Sequence, residues 1–359
     1  MGGRVRMVKG PAKVVVQGTC HVLGTDVSWR TVRVRRGKAL PFEPAQQCRL
    51  RVRLGRGGSQ WWADPRSAGV SMWRNISQVM LGLLRARKSL VVMVVGDTDT
   101  GKSTLCAYLA NKALASGFTP CVIDGDIGQG GLAPPSVIGA AVLTKQVTDL
   151  RDVSARLFEF VGSISPAGVE HLVSEKLSSI YKRSSHEALS IINTDGYVND
   201  GGISYKSMIA YSLWPELIVC LGNNQALIDE LARGPWQLLQ AMSSSQAYKS
   251  LLERSWRRRN QFHRFIGRGL HRLDLSNIKF VYHDRTYSSS DIPKPPIQQL
   301  ELKNMFVGLG SSIEITGFGI IENISPATIL IRTGIEDFGF VYLSSIRLLG
   351  SRAEQITQP

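Results

Sequence analysis

The amino-acid sequence predicts an α/β protein in which a central domain with a mostly parallel sheet is flanked by two small β-rich domains. Three observations lead to this prediction. The first 60 residues alternate apolar and polar side chains over short runs bounded by glycine, as β-strands do, and the chain after about residue 275 does so again. Between these regions, short apolar runs alternate with stretches whose apolar residues recur at helical spacing. Such alternation is typical of parallel strands joined by helical crossovers.

The chain is long enough for more than one domain. Its 359 residues exceed one core of typical size, for which about 150 residues is a useful guide. A Gly/Ser segment at 55–59 and a Pro-containing turn at 64–67 follow the first β-rich region, and a Pro-rich segment at 291–296 lies near the start of the last one. We therefore predict an N-terminal β-rich domain, a central domain and a small C-terminal β-rich domain at 1–68, 69–275 and 276–359.

The predicted elements follow the chain in order. Residues 72–87 carry apolar side chains at helical spacing and predict a helix, as do residues 104–115. The remaining predicted elements are strands. They lie at 13–17 and 31–35 in the N-terminal domain, at 89–95, 119–123, 188–192 and 216–221 in the central domain, and at 312–316 and 328–332 in the C-terminal domain.

Composition excludes several classes of protein. With 43% hydrophobic and 20% charged residues, the chain has the apolar content of a folded protein. The longest apolar run, Leu90 to Val95, is far shorter than the roughly 18 residues that span a bilayer, and no apolar signal segment opens the sequence. The five cysteines are scattered without the spacing of a zinc site or a disulfide framework. We expect no membrane partner and a cytoplasmic location, or a nuclear one if the source is eukaryotic.

The positive charge is concentrated in two blocks. The formal net charge is +15. Residues 1–60 hold thirteen Lys and Arg against Asp26 and Glu43, and residues 248–279 hold nine against two carboxylates. Phosphates are bound through Lys and Arg contacts with release of counterions, so clustered charge favours a polyanionic partner such as nucleic acid. The alternative is a soluble face that happens to be basic.

The strongest motif is Gly96-Asp97-Thr98-Asp99-Thr100-Gly101-Lys102-Ser103, a G-x-x-x-x-G-K-[ST] sequence between a predicted strand and a predicted helix. In such a P-loop, glycines let backbone N–H groups and the helix N-terminus face phosphates. Lys102 then reaches the β and γ oxygens, and Ser103 supplies a hydroxyl to Mg²⁺. The motif predicts that ATP or another nucleoside triphosphate binds to Gly96, Asp99, Thr100, Gly101, Lys102, Ser103 and Thr104.

Two carboxylates, Asp124 and Asp126, end the next predicted strand. Beside a P-loop, such carboxylates are placed to hold Mg²⁺-bound water or to take a proton from an attacking hydroxyl. An ordinary Asp-Gly surface turn is the alternative. The strand at 188–192 leads into Asn193-Thr194-Asp195-Gly196-Tyr197, which lies at the same sheet edge if the strands are parallel and which by itself indicates a turn.

An Arg-rich segment at 253–265 completes the candidate residues. Arg254, Arg258 and Phe262 are spaced at i, i+4 and i+8 and so share one face of a helix. A helix that presents guanidinium groups over a phosphate site can neutralise charge on a transferring phosphoryl group. A solvated basic helix fits the same spacing.

Together, these segments resemble the polynucleotide 5′-hydroxyl kinase family. That family includes the kinase subunit of the pre-mRNA cleavage machinery, nucleolar ribosomal-RNA-processing kinases and archaeal relatives, and the resemblance is closest to the archaeal type. It covers roughly 70–270. Besides the P-loop, the shared motifs are a D-x-D-x-G-Q segment, a G-x-x-S-P element, a clasp of the form N-T-x-G-W and an Arg-rich lid that begins R-S, here at 124–129, 162–166, 193–197 and 254–259.

The resemblance implies an activity and a set of roles. The activity is Mg²⁺-dependent, in-line transfer of the nucleotide γ-phosphate to the 5′-hydroxyl of RNA or DNA, and RNA-processing proteins are the implied partners. Asp126 is similar to the family's general base. The implied metal-holding residues are Ser103 and, through water, Asp124. Lys102 and the lid residues Arg254 and Arg258 are expected to stabilise charge, and the acceptor is expected to contact Gln129, Thr194, Gly196 and Tyr197.

Three details depart from the family pattern. Tyr197 stands where Trp is usual, which keeps a ring but reduces the face for stacking. Asp97 stands where Pro is common, which affects loop rigidity more than chemistry. Because the lid reads Arg257-Arg258-Arg259, the sequence leaves open which of the three has the family role.

Two other functions stay open from the sequence. One is a catalytically silent nucleotide-binding scaffold of an RNA-processing assembly. The other is a P-loop NTPase switch, although a guanine-specific N-K-x-D motif is absent from the sequence. Neither the preference for ATP over GTP nor that for RNA over DNA follows from the residues.

Overall fold

The computed structural model of the protein describes residues 4–184, 187–199, 201–242, 250–292, 297, 301–349 and 352–355. Within these ranges the chain forms four β-sheets and six α-helices. Short 3-10 helices occupy Leu150–Asp152, Leu275–Asn277 and Ser289–Asp291.

Two antiparallel sheets make up the N-terminal region. Their strands are β1 (Val5–Lys9), β2 (Ala12–Gln17), β3 (Cys20–Val22), β4 (Thr25–Asp26), β5 (Thr31–Val34), β6 (Ala39–Pro44), β7 (Arg49–Leu54) and β8 (Ser59–Ala63). The five-stranded sheet has the order β4-β3-β6-β1-β8, and the three-stranded sheet has the order β5-β2-β7. In β2, Val14 and Val16 are buried and Lys13 is exposed, as the two-residue repeat of an extended chain requires.

A seven-stranded sheet with helices forms the central region. Its elements are α1 (Val70–Ala86), β9 (Leu90–Gly96), α2 (Lys102–Ala115), β10 (Pro120–Gly125), β11 (Val137–Val142), β12 (Leu157–Phe160), α3 (Glu170–Ser184), β13 (Leu189–Thr194), α4 (Gly202–Leu213), β14 (Leu217–Leu221), α5 (Gln225–Leu231), β15 (Gln237–Ala241) and α6 (Leu251–Phe265). The strand order is β12-β11-β10-β13-β9-β14-β15. The last five strands in this order are parallel, whereas β11 and β12 are antiparallel. The predicted fold class is therefore confirmed, and the carboxyl ends of β9, β10 and β13 meet at one edge.

The C-terminal region is a further sheet. Its strands are β16 (Gly269–Asp274), β17 (Lys279–Tyr282), β18 (Arg285–Tyr287), β19 (Met305–Gly310), β20 (Ile315–Ile324), β21 (Thr328–Thr333), β22 (Phe340–Leu349) and β23 (Arg352–Gln355). They follow the order β16-β21-β20-β19-β22-β17-β18, with β23 paired to β22. The strand predicted at 312–316 was placed too early, because Ser311 accepts hydrogen bonds from the N–H groups of Ile313 and Glu314 and closes a turn before β20.

One predicted domain boundary lies between two elements of the fold, and the other separates a strand from its sheet. The boundary at 68/69 lies between β8 and α1. The boundary at 275/276 leaves β16 with the central domain, although β16 pairs with β21 in the C-terminal sheet. A division after α6 keeps that sheet whole, and the boundaries themselves stay a prediction. The predicted Pro-rich segment at 291–296 lies mostly outside the described residues.

One hydrophobic core crosses the first boundary. Buried side chains of the N-terminal sheets, such as Val22 and Phe42, belong to the same cluster as Trp73 of α1 and Leu109 of α2. A polar anchor lies in this core: Asn111, which has no exposed surface, donates from Nδ2 to the carbonyl oxygens of Leu23 (2.8 Å) and Val147 (2.7 Å). Its Oδ1 accepts from the Val147 N–H at 2.9 Å. The amide thus joins the two regions inside apolar surroundings.

No helix in the described part of the chain is both long enough and apolar enough to cross a membrane.

Replacement of Asn111 by Ala is expected to lower the free energy of unfolding by about 3 kcal/mol, because three buried backbone groups lose their partners. Urea denaturation followed by circular dichroism measures this change. Asn323→Ala, at an exposed position, is the matched control and should change the free energy of unfolding by less than about 0.5 kcal/mol. Equal effects of the two substitutions would contradict the role of Asn111.

Candidate active site

The P-loop connects the buried strand β9 to α2. Gly101 precedes the helix with φ 98°, a conformation that favours glycine, and its carbonyl accepts the N–H groups of Thr104 and Leu105. The N-terminus of α2 therefore faces the cavity beside the loop, where free N–H groups and the helix dipole favour an anion. Gly96 is needed for another reason, because a Cβ there would lie 2.2 Å from the carbonyl oxygen of Leu221 in β14.

Lys102 is buried and turned toward the loop. Its Nζ donates to the carbonyl oxygens of Gly96 at 2.8 Å and Asp97 at 2.6 Å. Burial lowers the pKa of Lys102 to about 8, although the nearby Asp126 carboxylate acts in the opposite direction. The ammonium is thus held by neutral carbonyls that a phosphate oxygen can replace.

The two carboxylates at the end of β10 have different environments. Asp124 is 1% exposed, and its Oδ2 accepts the N–H groups of Gly131 at 2.5 Å and Leu132 at 3.3 Å. Its Oδ1 accepts from Nδ2 of Asn193 at 2.7 Å. Asp126 instead lines the cavity, where its Oδ1 accepts the N–H groups of Gly128 and Gln129.

These contacts give the two carboxylates different positions relative to the cavity. Asp124 does not line the cavity, because both of its oxygens are used inside the protein, so the structure gives no support for its predicted metal-holding role. The pKa of Asp126 is raised, first by burial and then by the charge of Asp124, while Lys102 opposes the shift. Asp126 is therefore a better proton acceptor than an exposed aspartate.

The segment after β13 packs directly on the P-loop. A Cβ at Gly196 would lie 2.4 Å from Oγ1 of Thr98, and that hydroxyl donates to the Gly196 carbonyl at 3.3 Å. Gly196 and the half-buried Tyr197 line the cavity. Thr194 does not, because it has no exposed surface and its hydroxyl donates to the Val94 carbonyl at 2.9 Å. The hydroxyl of Thr194 thus holds β13 against β9, and its predicted contact with an acceptor stays a prediction.

A buried ion pair supports this segment. The Asp195 carboxylate accepts from Lys206 Nζ at 2.7 Å, from the Tyr205 hydroxyl at 2.9 Å and from the Tyr197 N–H at 2.8 Å. Lys206 has no exposed surface, and burial lowers its pKa against the pull of Asp195. Lys206 was not predicted from the sequence, although it is the single charged residue of the otherwise uncharged helix α4.

Helix α6 covers the cavity with three arginines. It is capped at its N-terminus by Ser250, whose side chain forms a capping box with Glu253. Arg254, Arg257 and Arg258 line the cavity, whereas Nε of Arg259 contacts His263. Of the three arginines that the sequence left open, Arg259 is thus turned away from the site.

The lid arginines join this helix to the two loops. Nη2 of Arg254 forms an ion pair with Oδ2 of Asp99 at 3.0 Å. Nη2 of Arg257 donates to the Gln129 carbonyl at 2.9 Å, and Nε2 of Gln129 donates to the Arg254 carbonyl at 3.3 Å. Nε of Arg258 is buried with no hydrogen-bond partner among the described residues, which leaves this guanidinium available to a ligand.

The cavity has a volume of about 530 Å³, in the range of small-molecule sites. The predicted residues that line it are Asp99, Gly101, Lys102, Ser103, Thr104, Asp126, Gln129, Gly196, Tyr197, Arg254 and Arg258. Gly96 and Thr100 shape the P-loop without lining the cavity, and the Thr100 hydroxyl donates to the Asp97 carbonyl. Lys38 of the N-terminal region, buried and outside any motif, forms part of the wall and was not predicted.

The described residues contain no cluster of three or more His, Cys, Asp or Glu that could hold a metal ion by themselves. A magnesium ion needs no such cluster, since it usually keeps several waters and binds one or two protein groups together with substrate phosphates. The Ser103 hydroxyl lines the cavity and is an oxygen ligand of the kind that Mg²⁺ prefers. The residues present therefore fit the metal.

Comparison with known sequences identifies relatives of part of the chain. It is 39% identical over 144 residues to a polyribonucleotide 5′-hydroxyl-kinase of Pyrococcus abyssi, covering 39% of this chain and 40% of that protein. It is 34% identical over 153 residues to a CLP1 homolog of Brugia malayi, covering 40% of this chain and 35% of that protein. The alignments thus span about two fifths of the length of these curated relatives.

A solved structure shares the fold over a longer range. The chain in a Clp1p–Pcf11p complex superimposes with a TM-score of 0.73 over 96% of each chain, at 13% identity. At this identity the likeness concerns the fold alone.

A family model described as mRNA cleavage and polyadenylation factor CLP1 P-loop matches residues 96–266. This match contains the P-loop, both carboxylates after β10, the segment after β13 and the arginines of α6. This match and the named relatives confirm, for the segment at 96–266, the resemblance to polynucleotide 5′-hydroxyl kinases and their cleavage-factor relatives.

Proposed function

We propose that this protein is a polynucleotide 5′-hydroxyl kinase, which transfers the γ-phosphate of ATP or another nucleoside triphosphate to the 5′-hydroxyl end of RNA or DNA. The observation that carries the proposal is that Lys102 and Asp126 line one cavity, between the N-terminus of α2 and the arginines of α6. One wall suits a triphosphate, and the carboxylate suits an attacking alcohol. The activity for which the Pyrococcus abyssi relative is named supports this choice.

Phosphate binding is the task of the P-loop. The N–H groups at the start of α2 and the Lys102 ammonium would hold the β- and γ-phosphates. In exchange, Lys102 would leave the carbonyl oxygens of Gly96 and Asp97, which now satisfy it. The phosphates of the nucleotide would thus replace the two carbonyl groups that now accept hydrogen bonds from the Lys102 ammonium.

Asp126 is the proposed general base. Its Oδ1 is fixed by the N–H groups of Gly128 and Gln129, so the side chain keeps one orientation in the wall of the cavity. The pKa of Asp126 is raised toward neutral pH, and a general base is most effective when its pKa lies near the pH at which the reaction runs. It would orient the 5′-hydroxyl for in-line attack and accept its proton.

The lid arginines are proposed to stabilise charge that spreads over the transferred phosphoryl group. Arg258 has a buried Nε without a partner among the described residues, and Arg254 already contacts the P-loop through Asp99. Burial and the neighbouring Arg254 lower the pKa of Arg258, so an anion in the cavity relieves an unfavourable charge. Arg257, held by the Gln129 carbonyl, fixes the distance between the lid and the base-bearing loop.

Magnesium is part of the proposal. The Ser103 hydroxyl would hold it together with phosphate oxygens and water, and Asp124 keeps the loop that carries Asp126 in place. When bound, Mg²⁺ would neutralise charge on the β- and γ-phosphate oxygens.

The acceptor end is proposed to bind between Gln129 and Tyr197. Both line the cavity, and Oε1 of Gln129 is buried without a hydrogen-bond partner among the described residues. The Tyr197 ring offers a surface on which a base can stack. Gly196 allows the segment that carries Tyr197 to pack on the P-loop at Thr98, and Thr194 fixes the same segment through its bond to β9.

A scaffold in an RNA-processing assembly is the second candidate. A structural neighbour of this fold was solved in complex with Pcf11p, which is a property of that protein. An RNA-processing protein partner is therefore a proposal here as well, and it is compatible with catalysis. Transfer assays on the isolated protein distinguish a kinase from a silent scaffold. NTP hydrolysis at a rate that 5′-hydroxyl ends do not change would indicate a P-loop NTPase switch instead.

Asp126→Asn is expected to lower the transfer rate by about 10²–10⁴-fold, because the amide cannot accept the proton. Nucleotide affinity should stay within a few fold. End-labelling of a 5′-hydroxyl oligonucleotide and titration with a fluorescent nucleotide measure the two effects. Lys102→Ala should abolish transfer and weaken nucleotide binding.

The control is Asp337→Asn, which changes an exposed carboxylate far along the chain from the site and should leave both quantities unchanged. Normal turnover of Asp126→Asn would remove this residue as the base. Absence of transfer by the wild-type protein with every acceptor would favour the scaffold.

Nucleotide affinity is expected to fall as the pH rises through about 8. Above that pH the free protein carries a neutral Lys102, so binding must also take up a proton, and the dissociation constant should rise by up to about tenfold per pH unit. Isothermal titration between pH 6.5 and 9.5 measures it. The same titration of Lys102→Ala should be nearly flat, and an equally flat wild-type curve would contradict the role of the ammonium.

Tyr197→Ala is expected to raise the KM for the acceptor by about 5- to 150-fold, since stacking of one base contributes about 1–3 kcal/mol. The KM for the nucleotide should not change. Tyr197→Phe keeps the ring and serves as the control, with wild-type kinetics, whereas Tyr197→Trp should lower the acceptor KM. An unchanged acceptor KM in Tyr197→Ala would show that the ring does not bind the strand.

A further inference from the structure

The outer face of the three-stranded sheet β5-β2-β7 is strongly basic. Valines and other apolar side chains on the inner face of these strands pack into the core, so the alternate positions point outward. No carboxylate occurs in any of the three strands. The exposed cations of this surface, which we call the basic face, are Lys13, Arg33, Arg49, Arg51 and Arg53.

Three of these cations form a row across the sheet. Lys13 in the middle strand lies directly opposite Arg33 of β5 on one side and Arg53 of β7 on the other. Residues at such paired positions have Cβ atoms about 4.5–5.5 Å apart, and like charges there destabilise a sheet. The fold therefore keeps an arrangement that costs stability when nothing binds to it.

The charge of the basic face is not neutralised within the described part of the protein. None of its five cations takes part in an ion pair or a side-chain hydrogen bond there. By contrast, Arg35, which follows β5, pairs with Asp149 and Asp152, and Arg74 pairs with Glu43. Five cations without an ion pair among the described residues thus share one face of the three-stranded sheet.

From this juxtaposition we infer that the basic face is a second binding surface for a nucleic-acid strand, separate from the catalytic cavity. Four of the five cations are arginines, whose planar guanidinium groups bind phosphate in a bidentate manner. Trp29, 76% exposed two residues before β5, adds an aromatic surface on which a base can stack. This ring favours a nucleic acid over an acidic peptide.

The basic face is connected to the proposed active site along the chain. After β5, Arg36 lies 5.3 Å above the ring of Trp256 in α6, and the next residues, Gly37 and Lys38, line the catalytic cavity. An RNA bound on this face would therefore be held close to the lid. The inference rests on the proposed function only in naming RNA as the bound strand, because binding on this face does not require phosphate transfer.

The test compares two triple variants with the same change in net charge. Arg33→Gln, Arg51→Gln and Arg53→Gln together neutralise the basic face. Three exposed cations that are scattered over the central and C-terminal regions and make no ion pair within the described residues provide the control: Lys88→Gln, Lys145→Gln and Arg272→Gln. The probe is a 20-nucleotide single-stranded RNA with a 5′-phosphate, which cannot accept another phosphate at that end, and its binding is followed by fluorescence anisotropy at several salt concentrations.

The slope of log K against log salt is expected to become less steep by about 2 in the basic-face variant, because each phosphate of a single strand that a cation neutralises contributes about 0.7 to the slope. The control variant should keep the wild-type slope. Lys102→Ala should also keep it, so a defect in transfer and a defect in this surface are distinguishable. Equal slopes for the two triple variants would overturn the inference. It would also be overturned if the basic-face variant bound RNA normally but no longer bound polyglutamate.

Stability provides a second measurement. Because the basic-face variant removes repulsion between neighbouring strands, its thermal midpoint should equal or exceed that of the wild type. If the triple variant does not fold, Arg53→Gln alone is measured, and its slope should change by about 0.7. An unchanged slope in a folded Arg53→Gln protein would then overturn the inference.

Discussion

The candidate active site depends on one buried carboxylate. Asp124 accepts hydrogen bonds from the N–H groups of Gly131 and Leu132 and from the side chain of Asn193, and so it ties the loop after β10 to the end of β13. A buried acceptor of this kind is costly unless it is satisfied, and here several donors satisfy it. The first half of the loop, which carries Asp126, is therefore fixed between Asp124 and Gly131.

The lid is built on the same principle of shared contacts. Arg254 contacts the P-loop through Asp99, while Arg257 and Gln129 connect the lid to the base-bearing loop. Helix α6 therefore contacts both the P-loop, which is proposed to bind the nucleotide, and the loop of Gln129, which is proposed to bind the acceptor. Opening of α6 would break both sets of contacts together.

Much of the fold and part of the site could be predicted from the sequence. Strands β9, β10, β13 and β14 and helices α1 and α2 follow from apolar periodicity, and the P-loop follows from fixed spacing between a buried strand and a helix. Strands β11, β12 and β15 and helices α3, α4 and α5 were not located from the sequence. Which side chains of these motifs point away from the cavity could not be predicted in this way. Asp124 and Thr194 belong to the right motifs, but their orientations depend on partners such as Asn193 and Val94, which come from other strands.

Two residues of the site, Lys38 and Lys206, were not predicted from the sequence. Lys38 reaches the cavity only because the N-terminal sheets pack on the central domain, and long-range packing leaves no local pattern in a sequence. Lys206 did leave a trace, as a single cation in an otherwise uncharged helix, but its partner Asp195 lies outside that helix. The sequence shows the isolated lysine in α4, but it does not show the ion pair with Asp195 that explains it.

The continuous core between the N-terminal sheets and helices α1 and α2 has a consequence for how this protein can be divided. Residues such as Phe42 and Leu109 share one cluster, so removal of the first 68 residues would leave a wide apolar surface in contact with water. The catalytic segment is thus not a module that can be transplanted alone. Any shortened version would need new polar side chains over the surface of α1 and α2 that the N-terminal sheets now cover.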